Sequence, residues 1–248
     1  KLVEQLSAAF AHRVILANHL WLDKYAARSA RKDKCSVILN HVDAQIFQPR
    51  SPGEIAVDRP GGGPAVILFP GGLQWHQGLD IALRAFDKLH RRRPQTEFHI
   101  YGDGIMKPDL IKLAQDLGLN GHVRFFDPLR LQQIAGVMAR ADLGVVPKRA
   151  DSFGNEAYST KIMEFMSVGV PVVVSNTKID RFYFNDSVVR FFESGNSDAL
   201  AEAMFDVLEN VESRREMVAC AAEYVARHSW ENRKGDYLEL VDQLCARN

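Results

Sequence analysis

The chain has 248 residues, enough for one large domain or a domain with part of another, and its hydrophobic fraction of 46% and charged fraction of 25% are those of a globular protein with a core. Its 31 Lys and Arg balance its 31 Asp and Glu, so no net field draws it to nucleic acid, and no apolar run reaches the ~18 residues that cross a bilayer. Cys35, Cys220 and Cys245 are odd in number, far apart and in no metal spacing; with no signal-peptide pattern in view, they suit a reducing cytoplasm.

In chain order, Leu2 to Leu6 reads as the end of a helix, Arg13 to Ala17 as a short strand, Leu20 to Ala30 as a helix, and Cys35 to Leu39 as a second strand leading into Asn40-His41-Val42-Asp43. Two short strands and two helices bury little core alone, so residues 1–50 are expected to pack against something the chain lacks. The start at Lys1, inside a helical pattern, reads as part of a longer protein. Residues 51–64, with Gly61-Gly62-Gly63, read as a linker.

From Ala65 strands and helices alternate. Apolar runs predict strands at Val66–Phe69, Glu97–Tyr101, His122–Phe126, Leu143–Val146, Val172–Ser175 and Val188–Phe192. Helical spacing predicts helices at Gly78–Arg91, Lys107–Leu117, Leu131–Ala141 and Lys161–Val168. Two more are expected between Asp198 and His228, and a last one from Trp230 to Cys245. Such alternation, with continuous apolar strands, implies an α/β fold: a Rossmann-like, doubly wound parallel sheet covered on both faces. Arg91-Arg92-Arg93 closes an amphipathic helix and complements its dipole.

In such sheets ligands bind at the carboxyl ends of the strands, beside helix N-termini. The loop after the first strand of the block holds Gly71 and Gly72, which let backbone approach a phosphate, with His76 nearby; a plain tight turn is the alternative. It is neither a dinucleotide fingerprint nor a P-loop, which disfavours a nicotinamide-dependent dehydrogenase. The next loops, Tyr101-Gly102-Asp103-Gly104 and Phe125-Phe126-Asp127-Pro128, leave room for a ligand group and an edge for a base. The fourth loop runs through Glu156, Ala157, Tyr158 and Ser159 to Thr160, expected to cap the next helix through its hydroxyl. That helix carries Lys161 and Glu164 and ends at Gly169, before Pro171. Glu164, amid apolar neighbours, needs donors that a ribose diol would supply, and Lys161 could pair with phosphate; a surface Glu and a solvated Lys are the alternatives. No Asp-x-Asp occurs to hold a metal-bridged diphosphate.

Glu156 and Glu164, with seven residues between them, then Phe165-Met166-Ser167-Val168-Gly169-Val170-Pro171-Val172-Val173, resemble the hallmark of group 1 (family four) retaining glycosyltransferases. Asn40 to Asp43 with Phe47 and Pro49, Gly71-Gly72-Leu73 with Gln77-Gly78, and Tyr101 to Gly104 extend the resemblance over residues 35–245. It implies the C-terminal, donor-binding half of a GT-B enzyme of hexosyltransferase type. Residues 1–50 would then be the end of the N-terminal domain and the hinge, 65–228 the nucleotide-sugar domain and 229–248 a helix crossing back. The implied activity is retaining transfer of a sugar from a nucleotide diphosphate to a glycan or lipid-linked acceptor, in polysaccharide biosynthesis. The nucleotide sugar would be a substrate, with no cofactor and no metal.

The resemblance assigns Glu156 to the sugar hydroxyls as the catalytic residue, Glu164 to the ribose, and the amides of Ala157, Tyr158 and Ser159 to sugar and phosphate. It places Gly71 and Gly72 at the diphosphate, and the loops of Gly102, Asp103 and Phe126 at the base. The acceptor would bind through a missing N-terminal domain, and the whole protein would act in the cytoplasm, with the inner membrane surface open to it. The sequence departs at Gly72 and Gln77, where the family usually carries an Arg and a Lys on the diphosphate; Lys161, Lys148, Arg149 and His76 are the candidates to compensate. His41 also stands where the hinge usually has Gly. A nucleotide-sugar-binding subunit without turnover and a GT-B sugar-nucleotide epimerase are the alternatives.

Overall fold

A computed structural model of the protein describes residues 1–50 and 63–246. The expected linker therefore lies outside the described residues except for Gly63 and Pro64. The chain forms two compact units, Lys1–Val42 with Arg227–Asn248, and Asp43–Ala226.

In the first unit α1 (Leu2–Phe10) precedes β1 (Val14–Leu16), α2 (His19–Arg28) and β2 (Cys35–Val37), and the two strands pair in parallel. The Asn18 side chain caps α2 by accepting from the Trp21 amide at 3.1 Å. Arg28 grips Glu4 of α1 with two bonds of 2.8 and 2.9 Å, tying the helices together.

The second unit holds the alternating block. It runs β3 (Ala65–Pro70), α3 (Leu79–Arg92), β4 (Thr96–Tyr101), α4 (Lys107–Asp116), β5 (Val123–Phe126), α5 (Leu131–Ala139) and β6 (Leu143–Val146). Then follow α6 (Thr160–Ser167), β7 (Val172–Ser175), α7 (Lys178–Tyr183), β8 (Arg190–Phe192), α8 (Ser197–Glu209) and α9 (Val211–Arg227), and α10 (Trp230–Cys245) closes the first unit. The six strands β3 to β8 form one parallel sheet in the order β5-β4-β3-β6-β7-β8. The chain builds outward from β3 to β5, then returns to β6 on the other side. The resulting switch point between β3 and β6 opens a crevice at their carboxyl ends.

The apolar runs become central strands because both faces are covered: Ile67, Leu68, Phe69, Leu143, Val145, Val172, Val173 and Val174 are fully buried. On α3 the stripe Leu79, Ala82, Phe86 and Leu89 faces inward, with Phe86 5.6 Å from Phe98 of β4. Each such phenylalanine contributes about 1.5–3 kcal/mol by leaving water. Gly144 of β6 lets α6 lie close, since a Cβ there would sit 2.6 Å from the Phe165 ring. The basic run ends α3 as expected: Arg91, Arg92 and Arg93 pair with Asp87, Glu202 and Glu209.

The expected strands and helices of the block are present, with ends shifted by a residue or two. Two short elements were not expected, a turn of 3-10 helix at Trp75–Gln77 and α7. The last strand is shorter than read, starting at Arg190 rather than Val188. Thr160 is not the cap of α6. Ser159 takes that place without a side-chain bond, and the Thr160 hydroxyl instead bonds Glu164 one turn on. Gly169, at φ +73°, ends α6 as predicted.

Candidate functional site

Three strand ends are held in step beyond the sheet. The Gly71 amide donates to Tyr101 O at 2.8 Å, the Leu73 amide to Asp103 O at 2.9 Å and the Gly102 amide to Phe126 O at 3.1 Å. Glycine is required at 102, because a Cβ there would lie 1.9 Å from the Gly71 carbonyl oxygen. These loops and the start of α6 enclose a cavity of about 390 Å³ at the carboxyl edge of the sheet. Gly71 and Gly72 form one wall, and Tyr101, Gly102 and Asp103 the next. Pro128, Leu129 and Ile134 supply an apolar side, and Lys161 and Glu164 project from α6.

Among the described residues, Lys161 is the one basic residue lining this cavity. Its Nζ donates to Gln77 Oε1 at 3.1 Å, lies 5.1 Å from the centre of the Phe69 ring, and sits 3.0 Å from where a Gly71 Cβ would be. The ammonium has traded water for few partners, and burial lowers its pKa to about 8. Burial pushes the Glu164 carboxyl up, opposed by the Thr160 hydroxyl and the Lys161 charge. A half-buried carboxylate and a half-buried ammonium thus face one cavity, each short of the contacts water would give. A ligand bringing hydroxyl donors to Glu164 and negative oxygens to Lys161 would satisfy both.

Of the predicted residues, Gly71, Gly72, Gly102, Asp103, Lys161 and Glu164 therefore meet around one cavity. Phe126 stands behind it. Its ring stacks on Tyr101 at 4.4 Å, and its carbonyl aligns Gly102. His76 lies against the fourth loop, its ring 4.7 Å from Phe153 and its carbonyl accepting from the Arg149 amide.

The fourth loop is a compact turn. Asp151 Oδ1 accepts the Gly154 amide at 2.5 Å, and Phe153 O accepts the amides of Glu156 and Ala157. The Ala157 amide, expected to face sugar and phosphate, is thus committed within the turn. Tyr158 packs edge-on against Tyr183 at 5.0 Å, and burial pushes its phenol well above the usual range.

Two of the expected compensating cations are engaged elsewhere. Arg149 donates from Nη2 to both carboxylate oxygens of Asp80 at 2.6 and 2.7 Å and covers the Trp75 ring at 4.5 Å. Lys148 is buried and pairs with Asp180. Burial pushes its ammonium down and the Asp180 carboxyl up, and the attraction between them opposes both. Lys161 alone of the four candidates lines the cavity. Asp180 escaped sequence reasoning, being an acid within a short polar stretch with nothing local to mark it as buried. Among the described residues no group of three His, Cys, Asp or Glu side chains could hold a metal ion.

A family model described as glycosyl transferases, group 1, matches residues 54–224. The chain is 31% identical over 214 residues to a D-inositol 3-phosphate glycosyltransferase of Mycobacterium bovis, covering 84% of this chain and 43% of that one. It is 29% identical over 215 residues to the enzyme of that name from Frankia alni, covering 81% of this chain and 51% of that one. The chain thus spans about half the length of the curated relatives it matches. Among solved structures, Anabaena Alr3699/HepE in complex with UDP and glucose matches with a TM-score of 0.83 at 21% identity, over 98% of this chain and 66% of that chain. The sucrose-phosphate synthase of Thermosynechococcus elongatus matches with a TM-score of 0.81 at 20% identity, over 100% of this chain and 62% of that chain. The six-stranded parallel sheet flanked by helices is the fold of GT-B C-terminal domains, as the sequence implied.

Proposed function

The chain belongs to the group 1 glycosyl transferases, and from that premise we propose that it holds the donor site of a retaining transferase. The cavity carries this reading: it lies at the switch point of the sheet and pairs an ammonium and a carboxylate from one helix with two glycine-rich strand ends. Glu164 takes the ribose hydroxyls. Lys161 and the N-terminus of α6 face the diphosphate, which approaches the backbone at Gly71 and Gly72. The apolar side at Pro128 and Leu129, beside Tyr101, takes the base. The diphosphate gains charge as its bond to the sugar breaks, and Lys161 supports that charge. Glu156, with Tyr158 and Ser159, attends the sugar.

The similar Anabaena protein forms a complex with UDP and glucose, which favours a nucleotide diphosphate here. The acceptor, a glycan or a lipid-linked sugar, is met by parts of the full-length protein beyond this chain, and no metal is needed. The test is transfer by the full-length protein from a panel of sugar nucleotides, with the anomer of the product read by NMR. The donor's own anomer in the product supports retention; the opposite anomer overturns it. A second reading, a subunit that binds sugar nucleotides without turning them over, draws on the scarcity of cations around the cavity. Tight binding of a sugar nucleotide with neither transfer nor hydrolysis would favour it.

A further inference from the structure

Three features of the fourth loop rest on α7, the short helix that follows β7. The Asn155 side chain accepts from the Lys178 amide at 3.0 Å. The Ala157 carbonyl accepts from Lys148 Nζ at 2.7 Å, and that ammonium reaches Asp180 Oδ2 at 3.0 Å and Oδ1 at 3.3 Å. The Tyr158 ring abuts Tyr183. Asp180 is held in turn by the Thr177 hydroxyl, which donates to it at 2.5 Å. Lys148 is 3% exposed and Asp180 fully buried.

A buried ion pair of this kind is a poor source of stability, since desolvating two charges offsets most of their attraction, and apolar residues of similar volume commonly serve as well. Its value lies in geometry. Lys148 donates to the carbonyl of Ala157 and to Asp180 Oδ1, and Asp180 Oδ2 at 3.0 Å completes the ion pair. Lys148 does not line the cavity. What the pair fixes is the backbone at 157, between Glu156 and Tyr158.

We propose that the Lys148–Asp180 pair is the positioning device for the sugar end of the donor site, setting the Glu156–Tyr158 backbone from α7 while leaving the nucleotide end to Gly71, Gly72, Lys161 and Glu164. This rests on the donor-site reading above. Lys148 and Asp180 act through the loop and touch neither nucleotide nor sugar.

The test uses this chain with the double variant Lys148→Met/Asp180→Asn, which removes both charges together and leaves no lone buried ion. Kd is measured for UDP, GDP, ADP and dTDP and for the glucose or mannose conjugate of whichever binds the wild type best. Amide exchange is followed over 150–160. The expected result is a diphosphate Kd within about twofold of wild type, a sugar-nucleotide to diphosphate Kd ratio raised about tenfold, and faster exchange confined to the loop. A ratio unchanged from wild type, whether both ligands bind normally or both weaken together, overturns the positioning role and leaves the donor site standing. A wild-type chain that binds no member of the panel removes the donor-site premise, and the proposal with it. Should the double variant fail to fold, Asn155→Ala, which takes away a second anchor on α7, is expected to move the ratio in the same direction; no change there counts against the proposal.

Discussion

Lys161 offers the sharpest residue-level test, because its charge state and its role are linked. In the free protein its pKa is about 8, against 10.5 for an ordinary lysine. A bound diphosphate favours the charged form and raises that value. Between about pH 6 and about pH 7 the ammonium is already protonated and the nucleotide has lost its last phosphate proton, at a pKa of about 6, so affinity should be flat there and fall at lower pH as the phosphate regains that proton. Above about pH 8 binding must take up a proton, and affinity should fall by roughly tenfold per pH unit. Lys161→Met should abolish that slope and weaken nucleoside diphosphate binding by about 10- to 100-fold at pH 7, the loss of one charge-assisted hydrogen bond. The same variant should be no less stable without ligand, because it removes a desolvated charge. Calorimetry across pH and a thermal melt check both halves.

At the scale of elements, α6 carries the site and β6 makes room for it. Gly144→Ala would place a methyl 2.6 Å from the Phe165 ring and push α6 off the sheet. The expected cost is about 1–3 kcal/mol, with weaker nucleotide binding because Lys161 and Glu164 move together; a denaturant melt and a titration read the two effects. Most of this layer was legible in the sequence. The central strands β3, β6 and β7 announced themselves as continuous apolar runs because both faces are buried, β4 as an alternation of buried and half-buried residues, and α6 was bounded by Gly169 and Pro171. The α7 helix was not legible. Of its six residues only Ile179 is an apolar core residue, and its other buried residue, Asp180, is an acid whose partner lies 32 positions away. Within the site, the glycines, Lys161 and Glu164 could be named from strand ends and helix spacing. The engagement of Arg149 by Asp80, and of the Ala157 amide by Phe153, could not, since loop hydrogen bonds obey no period.

The whole molecule is two compact units spanning about half the length of its curated relatives, and no helix among the described residues is long and apolar enough to cross a membrane. At this scale the account requires that the second unit bind donor by itself, since every residue given to the nucleotide lies between 70 and 164. It also requires no metal. Transfer by the full-length protein should be unchanged by EDTA and unstimulated by Mg²⁺ or Mn²⁺; a tenfold loss in EDTA restored by Mg²⁺ would reassign the diphosphate's charge balance. The most direct measurement is calorimetric titration of this chain with nucleoside diphosphates and their sugars, beside Glu164→Ala. The account predicts selective binding of one base, weakened at least tenfold in the variant as the ribose loses its acceptor. Binding that the variant leaves untouched would contradict it.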